Sequence, residues 1–278
     1  MQLPGKDTAI DHKRPLTRMG WQPAGPWPDI LCYALVGLLP FLLYQETLSG
    51  WWRWDDPAIL QFIIAHNFWE PFFSPHIWQK LSTNNFTPLM YVSWWLDYRL
   101  FGLAPGFYYA HQILAYSGVS LLTYIFFSTF SSRLISFLGT ALFVSGAVVA
   151  TTANQLMTRH YVEGLFFCLL ALLCFLRSSE KKSTPALIFG GLAYFLAMSA
   201  KEIYVPLLIM LLLWPRKMGL RNRLKLITPF AAAMVLYLGW RVYMLSGKMD
   251  GYGISLLFEQ LAHLPLSVVK CLVGERVR

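Results

Sequence analysis

Long apolar segments recur along almost the whole chain, and they constrain its fold more than any other feature. Residues 30–48, 105–130 and 226–245 each approach or exceed the roughly 20 apolar residues that a helix needs to cross a bilayer. In lipid, the backbone amides of such a segment must be satisfied within the segment, which favours a helix. Only 13% of the residues are charged, whereas soluble domains carry about 25%. The sequence therefore predicts an all-α, polytopic membrane protein.

We predict about seven transmembrane helices. They cover residues 30–48, 105–130, 134–153, 161–176, 185–200, 203–214 and 226–245. The fifth and sixth are short for a full crossing and are separated by Lys201 and Glu202, so a re-entrant hairpin is the alternative for this pair. Residues 264–273 are too short to span. We interpret that stretch as an interfacial helix or as the point where a longer protein has been cut.

The basic residues lie in short clusters between the apolar segments, and this pattern predicts the orientation. More than half of the 23 Lys and Arg fall in alternate connections, which is typical of cytoplasmic loops. The N-terminal tail, residues 1–28, is then cytoplasmic. The net charge of +9 follows from this bias, so we exclude a nucleic-acid partner. We expect an integral, multi-pass protein, in a bacterial inner membrane rather than the endoplasmic reticulum.

The connection of residues 50–103 is the predicted first extracytoplasmic loop. It holds seven of the eleven tryptophans, as expected where an apolar slab meets water. Residues 57–68 and 88–101 are predicted to form amphipathic helices along the membrane surface. Asp55 and Asp56 stand among the tryptophans, where carboxylates are costly unless they bind, pair or catalyse. We predict that they form the reacting centre; the alternative is a cap for the helix that begins at Pro57.

Several other polar residues have simpler interpretations. Asn85-Phe86-Thr87 matches a glycosylation sequon but is interpreted as part of the loop's own fold. His111 is interpreted as a hydrogen-bonded residue of the helix interior. The histidines lack ligand spacing, so no cofactor is expected to be required; a divalent cation at Asp55-Asp56 is the open alternative.

The order of first span, acidic pair, amphipathic helix and returning span resembles the GT-C glycosyltransferases. Within them, the chain is most similar to the dolichyl- or polyprenyl-phosphate-mannose protein mannosyltransferases and to the tetratricopeptide-repeat transmembrane O-mannosyltransferases. The matching stretches are Trp54-Asp55-Asp56, residues 85–89 with 96–103, Ser199-Ala200-Lys201-Glu202, Tyr237 with Arg241, and Arg159. The chain departs from these relatives at Thr87, where they tend to carry arginine, and at the end of the third span, where they often carry His and Glu.

The resemblance implies a GT-C module over residues 29–250, followed by an outer segment and a partial or interfacial helix over residues 251–278. It implies transfer of a sugar from a polyprenyl-phosphate carrier to a protein or glycan acceptor on the extracytoplasmic side. Asp55 or Asp56 would then be the general base. Arg159, Lys201 and Arg241 would bind the carrier phosphate, with Glu202 orienting Lys201.

Each of these assignments has a competing interpretation. Arg241 lies near a span end and could snorkel to the interface, and Lys201 and Glu202 could simply neutralise each other. The main functional alternative is a non-catalytic or truncated GT-C-like protein that acts as a lipid-linked-sugar transporter or as a scaffold. An ordinary transporter would be expected to carry charges inside its spans, and Glu163 and Arg241 are the best examples.

Overall fold

A computed structural model describes residues 26–214 and 219–247, and within them the protein is helical with no strand. The helices are α1 Pro26–Tyr44, α2 Asp56–Ala65, α3 Glu70–Phe73, α4 Pro75–Leu81, α5 Pro88–Phe101, α6 Pro105–Ser128, α7 Arg133–Val144, α8 Ala147–Ala153, α9 Arg159–Lys181, α10 Thr184–Ala200, α11 Leu207–Leu212 and α12 Leu220–Met244. Short 3₁₀ segments follow α1 at Gln45–Ser49, precede α9 at Leu156–Thr158 and follow α10 at Glu202–Tyr204. The predicted tail and the predicted C-terminal segment lie largely outside the described residues.

Four of the described helices are long and apolar enough to cross a membrane, which confirms the predicted fold class. They are Ile30–Ser49, Pro105–Ser128, Leu156–Lys181 and Arg221–Met244. The predicted third span is instead two helices, α7 and α8, bent by 54° at their junction. Counting that pair as one span gives five. The predicted fifth and sixth spans are α10 and the segment Glu202–Leu212, which are too short to meet the same criterion.

Proline sets the start of several helices in the predicted first loop and just after it. Pro57, Pro88 and Pro105 lie in the first turns of α2, α5 and α6. The ring fixes φ near the helical value, and its missing N–H would be unpaired in a first turn anyway. The loop also contains α3 and α4, which we had not predicted, and each likewise has a proline in its first turn.

Helix α9 joins two halves of the bundle. On one side it packs against α6, which packs against α1 and α7; on the other it packs against α10, which packs against α12. Each half has its own cluster of buried apolar side chains. Polar side chains that must reach across the bundle therefore meet near α9.

The predicted first loop packs onto the ends of the long helices, and we call this the loop end of the bundle. The Tyr109 hydroxyl of α6 donates to the Trp51 carbonyl (3.1 Å). From α12, the Tyr237 hydroxyl donates to the Phe86 carbonyl (3.0 Å) and the Trp240 indole N–H to the Phe72 carbonyl (3.0 Å). Helix α5 buries one face against α6, α9 and α10. The loop is therefore an integral layer of the fold, and its position along a membrane surface remains a prediction.

Candidate functional site

The two adjacent aspartates occupy different environments. Asp56 is 1% exposed, whereas Asp55 is exposed on the surface. Asp55 stands at the N-cap of α2, yet its side chain makes no capping hydrogen bond. If Asp55 served as a helix cap, its side chain would be expected to accept a hydrogen bond from the first turn of α2, and it does not. Asp56 is the carboxylate that the protein encloses.

A tight turn holds Asp56 in place. Its Oδ2 accepts a hydrogen bond from the Arg53 backbone N–H (2.9 Å), and its own N–H donates to the Arg53 carbonyl (3.0 Å). Trp54, between them, has a φ of 52°, in the left-handed region that L-residues rarely adopt. The other oxygen, Oδ1, is buried and makes no hydrogen bond of ordinary geometry among the described residues, although the Met157 backbone amide lies close enough to the carboxyl to lower its pKa. Oδ2 is thus fixed by the Arg53 amide.

The electrostatic surroundings of Asp56 favour proton uptake. Burial raises the pKa of its carboxyl above the ordinary value for aspartate, while the Arg53 and Met157 backbone amides and the charge of Arg159 act in the opposite direction. A carboxylate with a raised pKa is a stronger base than an exposed aspartate.

Arg159 is the centre of a buried polar network formed by Ser93, Asp97, His111, Arg159 and Glu163, which we call the Arg159 network. Its guanidinium is fully buried, forms an ion pair with Asp97, and donates to the Ser93 hydroxyl (3.3 Å) and the Tyr108 carbonyl (2.7 Å). It also lies over the Trp94 ring, 5.3 Å from the ring centre. Protein groups therefore satisfy both terminal nitrogens of Arg159, while its Nε has no hydrogen-bond partner among the described residues, and its role as a phosphate ligand stays a prediction.

The other members of the Arg159 network also contact one another, although the Arg159 Nε and the Glu163 Oε2 have no hydrogen-bond partner among the described residues. The His111 Nδ1 is hydrogen-bonded to Asp97 Oδ1 (2.8 Å), and its Nε2 lies 4.0 Å from Glu163. Glu163 in turn accepts a hydrogen bond from the Ser93 hydroxyl. The interpretation of His111 as a hydrogen-bonded residue is confirmed. Because these residues come from α5, α6 and α9, the network ties the predicted outer loop to the two long helices.

A second group of polar and charged residues lies where the ends of α10 and α12 meet the predicted first loop. It consists of Asn84, Asn85, Lys201, Glu202 and Arg241, and we call it the Lys201 cluster. Lys201 is 3% exposed; its ammonium donates to Asn85 Oδ1 (3.1 Å) and lies 3.6 Å from Glu202 Oε1. Arg241 is also buried and donates to the Asn84 carbonyl (3.2 Å). Burial lowers the pKa of Lys201, an effect that Glu202 opposes and Arg241 reinforces.

These contacts explain the sequon-like sequence. Asn85 accepts from Lys201, its carbonyl accepts from the Trp78 indole (2.8 Å), and both Phe86 and Thr87 are buried. The interpretation of Asn85-Phe86-Thr87 as part of the loop's fold is confirmed.

Several buried polar atoms of the Lys201 cluster have no hydrogen-bond partner among the described residues. They are both carboxylate oxygens of Glu202, the Arg241 Nε and, on the adjoining first turn of α9, the His160 Nδ1. His160 lies close enough to Lys201 for an electrostatic interaction between the imidazole and the ammonium group. Native proteins pair more than nine in ten of their buried polar groups. Other unpaired atoms, such as the Arg159 Nε and the Glu163 Oε2, lie in the Arg159 network.

The 3₁₀ segment Leu156–Thr158 connects Asp56 with the Lys201 cluster. The Met157 backbone lies beside both the Asp56 carboxyl and the His160 ring. An apolar groove of about 420 Å³ also opens along α2, directly after Asp56. It is lined by Trp52, Pro57, Leu60, Gln61, Ile64, Ala65 and Leu103. The loop end therefore combines a carboxylate, two cations and an apolar groove.

The sequence missed four contributors to this arrangement. His111 and Glu163 were noticed as individual residues but not as partners of Arg159. Asp97 entered only as part of the matching stretch 96–103, and His160 only as one of the histidines that lack ligand spacing. A charged residue within an apolar span, such as Glu163, was the available signal, because it requires a partner. In the part of the chain that the structure describes, no group of three or more His, Cys, Asp or Glu is placed to hold a metal ion.

Comparison with known proteins gives distant similarities. The chain is 29% identical over 153 residues to the protein O-mannosyl-transferase tmtc2 of Xenopus laevis, covering 51% of this chain and 18% of that protein. It is 26% identical over 165 residues to the protein O-mannosyl-transferases TMTC2 of Mus musculus and Homo sapiens, covering 55% of this chain and 19% of each. No protein-family profile and no solved structure matches.

The chain spans less than a fifth of the length of these curated relatives. The similarity supports a relationship with glycosyltransferases, and the helices agree with the membrane environment which that relationship implies. The predicted resemblance to O-mannosyltransferases is therefore confirmed at this coarse level: this is a multi-pass membrane protein distantly related to protein O-mannosyl-transferases.

Proposed function

We propose that this chain carries the catalytic end of a membrane glycosyltransferase that moves a sugar from a polyprenyl-phosphate carrier to an acceptor hydroxyl on the extracytoplasmic side. One observation carries the proposal above the others. Asp56 is a buried carboxylate whose Oδ2 is held by the Arg53 amide, and the 3₁₀ segment beside it is followed by His160, which lies near Lys201. The distant similarity to O-mannosyl-transferases supports the same class of reaction.

Asp56, rather than Asp55, is assigned the general base. Its Oδ1 would accept the proton of the acceptor hydroxyl while Oδ2 stays bound to the Arg53 amide. The raised pKa that burial produces suits proton abstraction. Asp55 is exposed and would add negative charge near the acceptor without contacting it.

The remaining steps need only electrostatic help. The acceptor oxygen forms a bond to the anomeric carbon as the bond from that carbon to the phosphate oxygen breaks. The phosphate departs with the electron pair, the proton stays on Asp56, and the configuration at the anomeric carbon is inverted. Lys201 and Arg241 would stabilise the charge that grows on the departing phosphate. Arg159 is assigned a structural role, because both of its terminal nitrogens are already bound by protein groups.

The carrier's isoprenoid tail would follow the apolar groove along α2. The lining is almost wholly apolar and opens directly after Asp56, so a tail held there would bring its phosphate to the loop end. Burial of isoprene units in such a groove is favourable by roughly 25 cal/mol per Å² of apolar surface.

The experiment is transfer of radiolabelled mannose from polyprenyl-phosphate mannose to an acceptor peptide by the chain in nanodiscs. Asp56→Asn should lower the rate by about 10²–10⁴-fold, the usual contribution of a positioned general base, while the affinity for the donor changes little. Glu46→Gln removes an exposed carboxylate from the neighbouring 3₁₀ segment and should retain the wild-type rate.

Two results would count against the proposal. Equal transfer by wild type and Asp56→Asn would remove the general-base assignment. Tight donor binding by the wild type without transfer to any acceptor would favour the alternative function, a binder or transporter of lipid-linked sugars.

A further inference from the structure

The end of the bundle opposite the loop end, which we call the far end, brings together the ends of several helices. Helices α10 and α12 run parallel, because Gly190 lies against Phe230 and, further along each helix, Lys201 and Arg241 both reach the predicted first loop. Helix α9 joins α10 through a short turn and packs along it. The last residues of α9 and the first residues of α10 and α12 therefore meet at the far end.

Contacts from α6 and α11 also lie at the far end. The Arg223 guanidinium of α12 donates to the Leu212 carbonyl at the end of α11 (2.6 Å). The Trp214 ring, just beyond α11, lies 6.1 Å from the Phe130 ring, just beyond α6. The far end is thus a shared surface to which α6 and α9 to α12 all contribute.

Five cationic side chains are exposed at the far end. They belong to the last two turns of α9, to the turn after it and to the first two turns of α12, and they are Arg177, Lys181, Lys182, Arg221 and Lys225. None of them forms an ion pair with a described residue. Glu180 is the one acidic residue that the structure describes at these helix ends. The far end therefore carries positive charge that the described part of the protein does not neutralise.

Local helix electrostatics account for only some of these cations. Arg177 and Lys181 lie near the C-terminus of α9, where the helix dipole favours positive charge. Arg221 and Lys225 lie near the N-terminus of α12, where the dipole opposes positive charge, and the first turn of α12 contains no acidic residue. An external anion would supply the missing compensation.

Lys182 occupies a backbone conformation that favours glycine. Its φ is 51°, in the left-handed region, and it lies at the C-cap of α9, a place in which glycine is the usual left-handed residue. The backbone turn is already complete, since the Lys182 N–H donates to the Ser178 carbonyl (2.9 Å). A lysine is thus present where glycine would be less strained, which indicates a use for its side chain outside the fold.

Exposed apolar side chains border these cations. Leu224 directly precedes Lys225 in α12, and Ile188, Phe189 and Leu213 lie at the neighbouring ends of α10 and α11; all four apolar side chains are more than half exposed. A free phosphate or a nucleic acid would match the cations but leave these apolar surfaces in water. A phospholipid matches both, because its phosphate is anionic and its acyl chains are apolar.

We infer that the far end binds anionic phospholipids, with the headgroup phosphates against the exposed cations and the acyl chains against the apolar side chains beside them. In the predicted orientation this end lies on the cytoplasmic side, where the leaflet surface is negatively charged. Such lipids would hold the turn between α9 and α10 and the start of α12 at the membrane surface. The inference does not depend on the proposed function, because that function is assigned to the opposite end of the bundle.

The test is native mass spectrometry of the detergent-solubilised chain, titrated with dioleoyl phosphatidylglycerol or with dioleoyl phosphatidylcholine. These probes carry the same acyl chains, but only the first has a net negative charge. Each cation near an anionic surface contributes about fivefold to affinity, so wild type should bind phosphatidylglycerol more tightly by about tenfold or more. Arg221→Gln combined with Lys225→Gln should lose most of that preference.

Lys182→Gly separates lipid binding from folding. It should lower the affinity for phosphatidylglycerol by about fivefold and leave the affinity for phosphatidylcholine unchanged. The melting temperature should stay the same or rise, because glycine adopts a φ of 51° without strain. The matched control is Lys80→Gln, which removes an exposed cation from α4 at the loop end and should keep the full lipid preference.

Four outcomes would overturn the inference. Equal affinity of wild type for the two lipids would remove the anionic site. A loss in Lys80→Gln as large as in Lys182→Gly would mean that net charge, and not this surface, attracts the lipid. Displacement of phosphatidylglycerol by inorganic phosphate, but not by chloride at the same ionic strength, would indicate a site for the free anion. A lower melting temperature in Lys182→Gly with unchanged lipid affinity would assign Lys182 a purely structural role.

Discussion

The strongest stability prediction concerns the pair formed by Arg159 and Asp97. We consider the replacement Arg159→Met, which preserves an unbranched apolar stem while removing the charge. It leaves Asp97, which is 2% exposed, with His111 as its remaining partner at 2.8 Å. Removing one member of a buried ion pair usually costs about 3–5 kcal/mol, because the other charge stays buried and uncompensated.

The structure shows why the loss should fall within that range. Arg159 donates to Asp97, to the Ser93 hydroxyl and to the Tyr108 carbonyl, and a hydrogen bond to a charged group contributes about 1.5–3 kcal/mol. Its position over Trp94 adds about 0.5–2 kcal/mol. Part of this sum is offset because methionine avoids the desolvation of a buried guanidinium.

A double-mutant cycle separates the ion pair from the other contacts. Asp97→Asn alone should destabilise the protein by a comparable amount, about 3–5 kcal/mol. The double variant should be more stable than the sum of the two losses predicts, by about 2–3 kcal/mol, because neither charge is then left alone. The measurement is reversible unfolding in mixed detergent–SDS micelles, followed by tryptophan fluorescence.

The control is Arg99→Met. Arg99 is exposed and lies over the Trp95 ring, 5.6 Å from its centre, so its loss should cost at most about 1 kcal/mol. Additivity of Arg159→Met and Asp97→Asn within about 0.5 kcal/mol would refute the coupling. A double variant that is stable but has lost its affinity for polyprenyl phosphate would restore Arg159 to the phosphate-binding role that the sequence predicted.

Two further predictions follow from the same end of the bundle. Gly164→Ala places a methyl group into the Tyr204 ring and should destabilise the protein by about 1–3 kcal/mol. It should also weaken donor binding, because Tyr204 belongs to the 3₁₀ segment that contains Glu202. Thermal unfolding measures the first effect and donor titration the second. The matched change Gly239→Ala meets open space within α12 and should be neutral or stabilising by up to about 1 kcal/mol; a larger loss there than at Gly164 would contradict the packing argument. For Asp56, the folded-state pKa is raised above the unfolded one, so wild type should lose stability as pH rises from about 4 through that raised value. Asp56→Asn should therefore gain stability relative to wild type over the same interval, and a pH-independent difference between the two unfolding curves would exclude a raised pKa.

Much of the fold could be predicted from local sequence. The spans that became α1, α6, α9 and α12 were found because a long apolar run needs no knowledge of its neighbours to be recognised. The starts of α5 and α6 could be placed from Pro88 and Pro105, because a proline favours the first turn of a helix whatever lies around it. Such features are properties of one contiguous segment.

The bend between α7 and α8 and the shortness of α10 and α11 could not be predicted in this way. Composition makes residues 134–153 look continuous, yet the helix stops at Val144 and resumes at Ala147. The interruption lies at Ser145 and Gly146, residues that occur in continuous membrane helices as well as in broken ones. Whether such a site bends depends on the helices packed beside it.

In the candidate site, too, some features could be predicted from the sequence and others depend on tertiary packing. From the sequence, Asp55 and Asp56 are equivalent neighbours, and Arg159, Lys201 and Arg241 are equivalent cations near the ends of spans. The tertiary structure separates them: it buries Asp56 and exposes Asp55, pairs Arg159 with Asp97 sixty-two positions earlier in the chain, and brings Lys201 and Arg241 to the same loop.

The sequence by itself determined that this is a helical membrane protein with an acidic, tryptophan-rich segment after its first span, because hydropathy and residue type are local properties. Only the tertiary structure decided which charges neutralise one another and which remain available to a ligand. The physical reason is that a buried charge is stable only with a partner, and partners distant in sequence become neighbours only through packing. Packing buries Asp56 beside the Arg53 and Met157 amides, and Asp56 is therefore the residue on which the proposed chemistry depends.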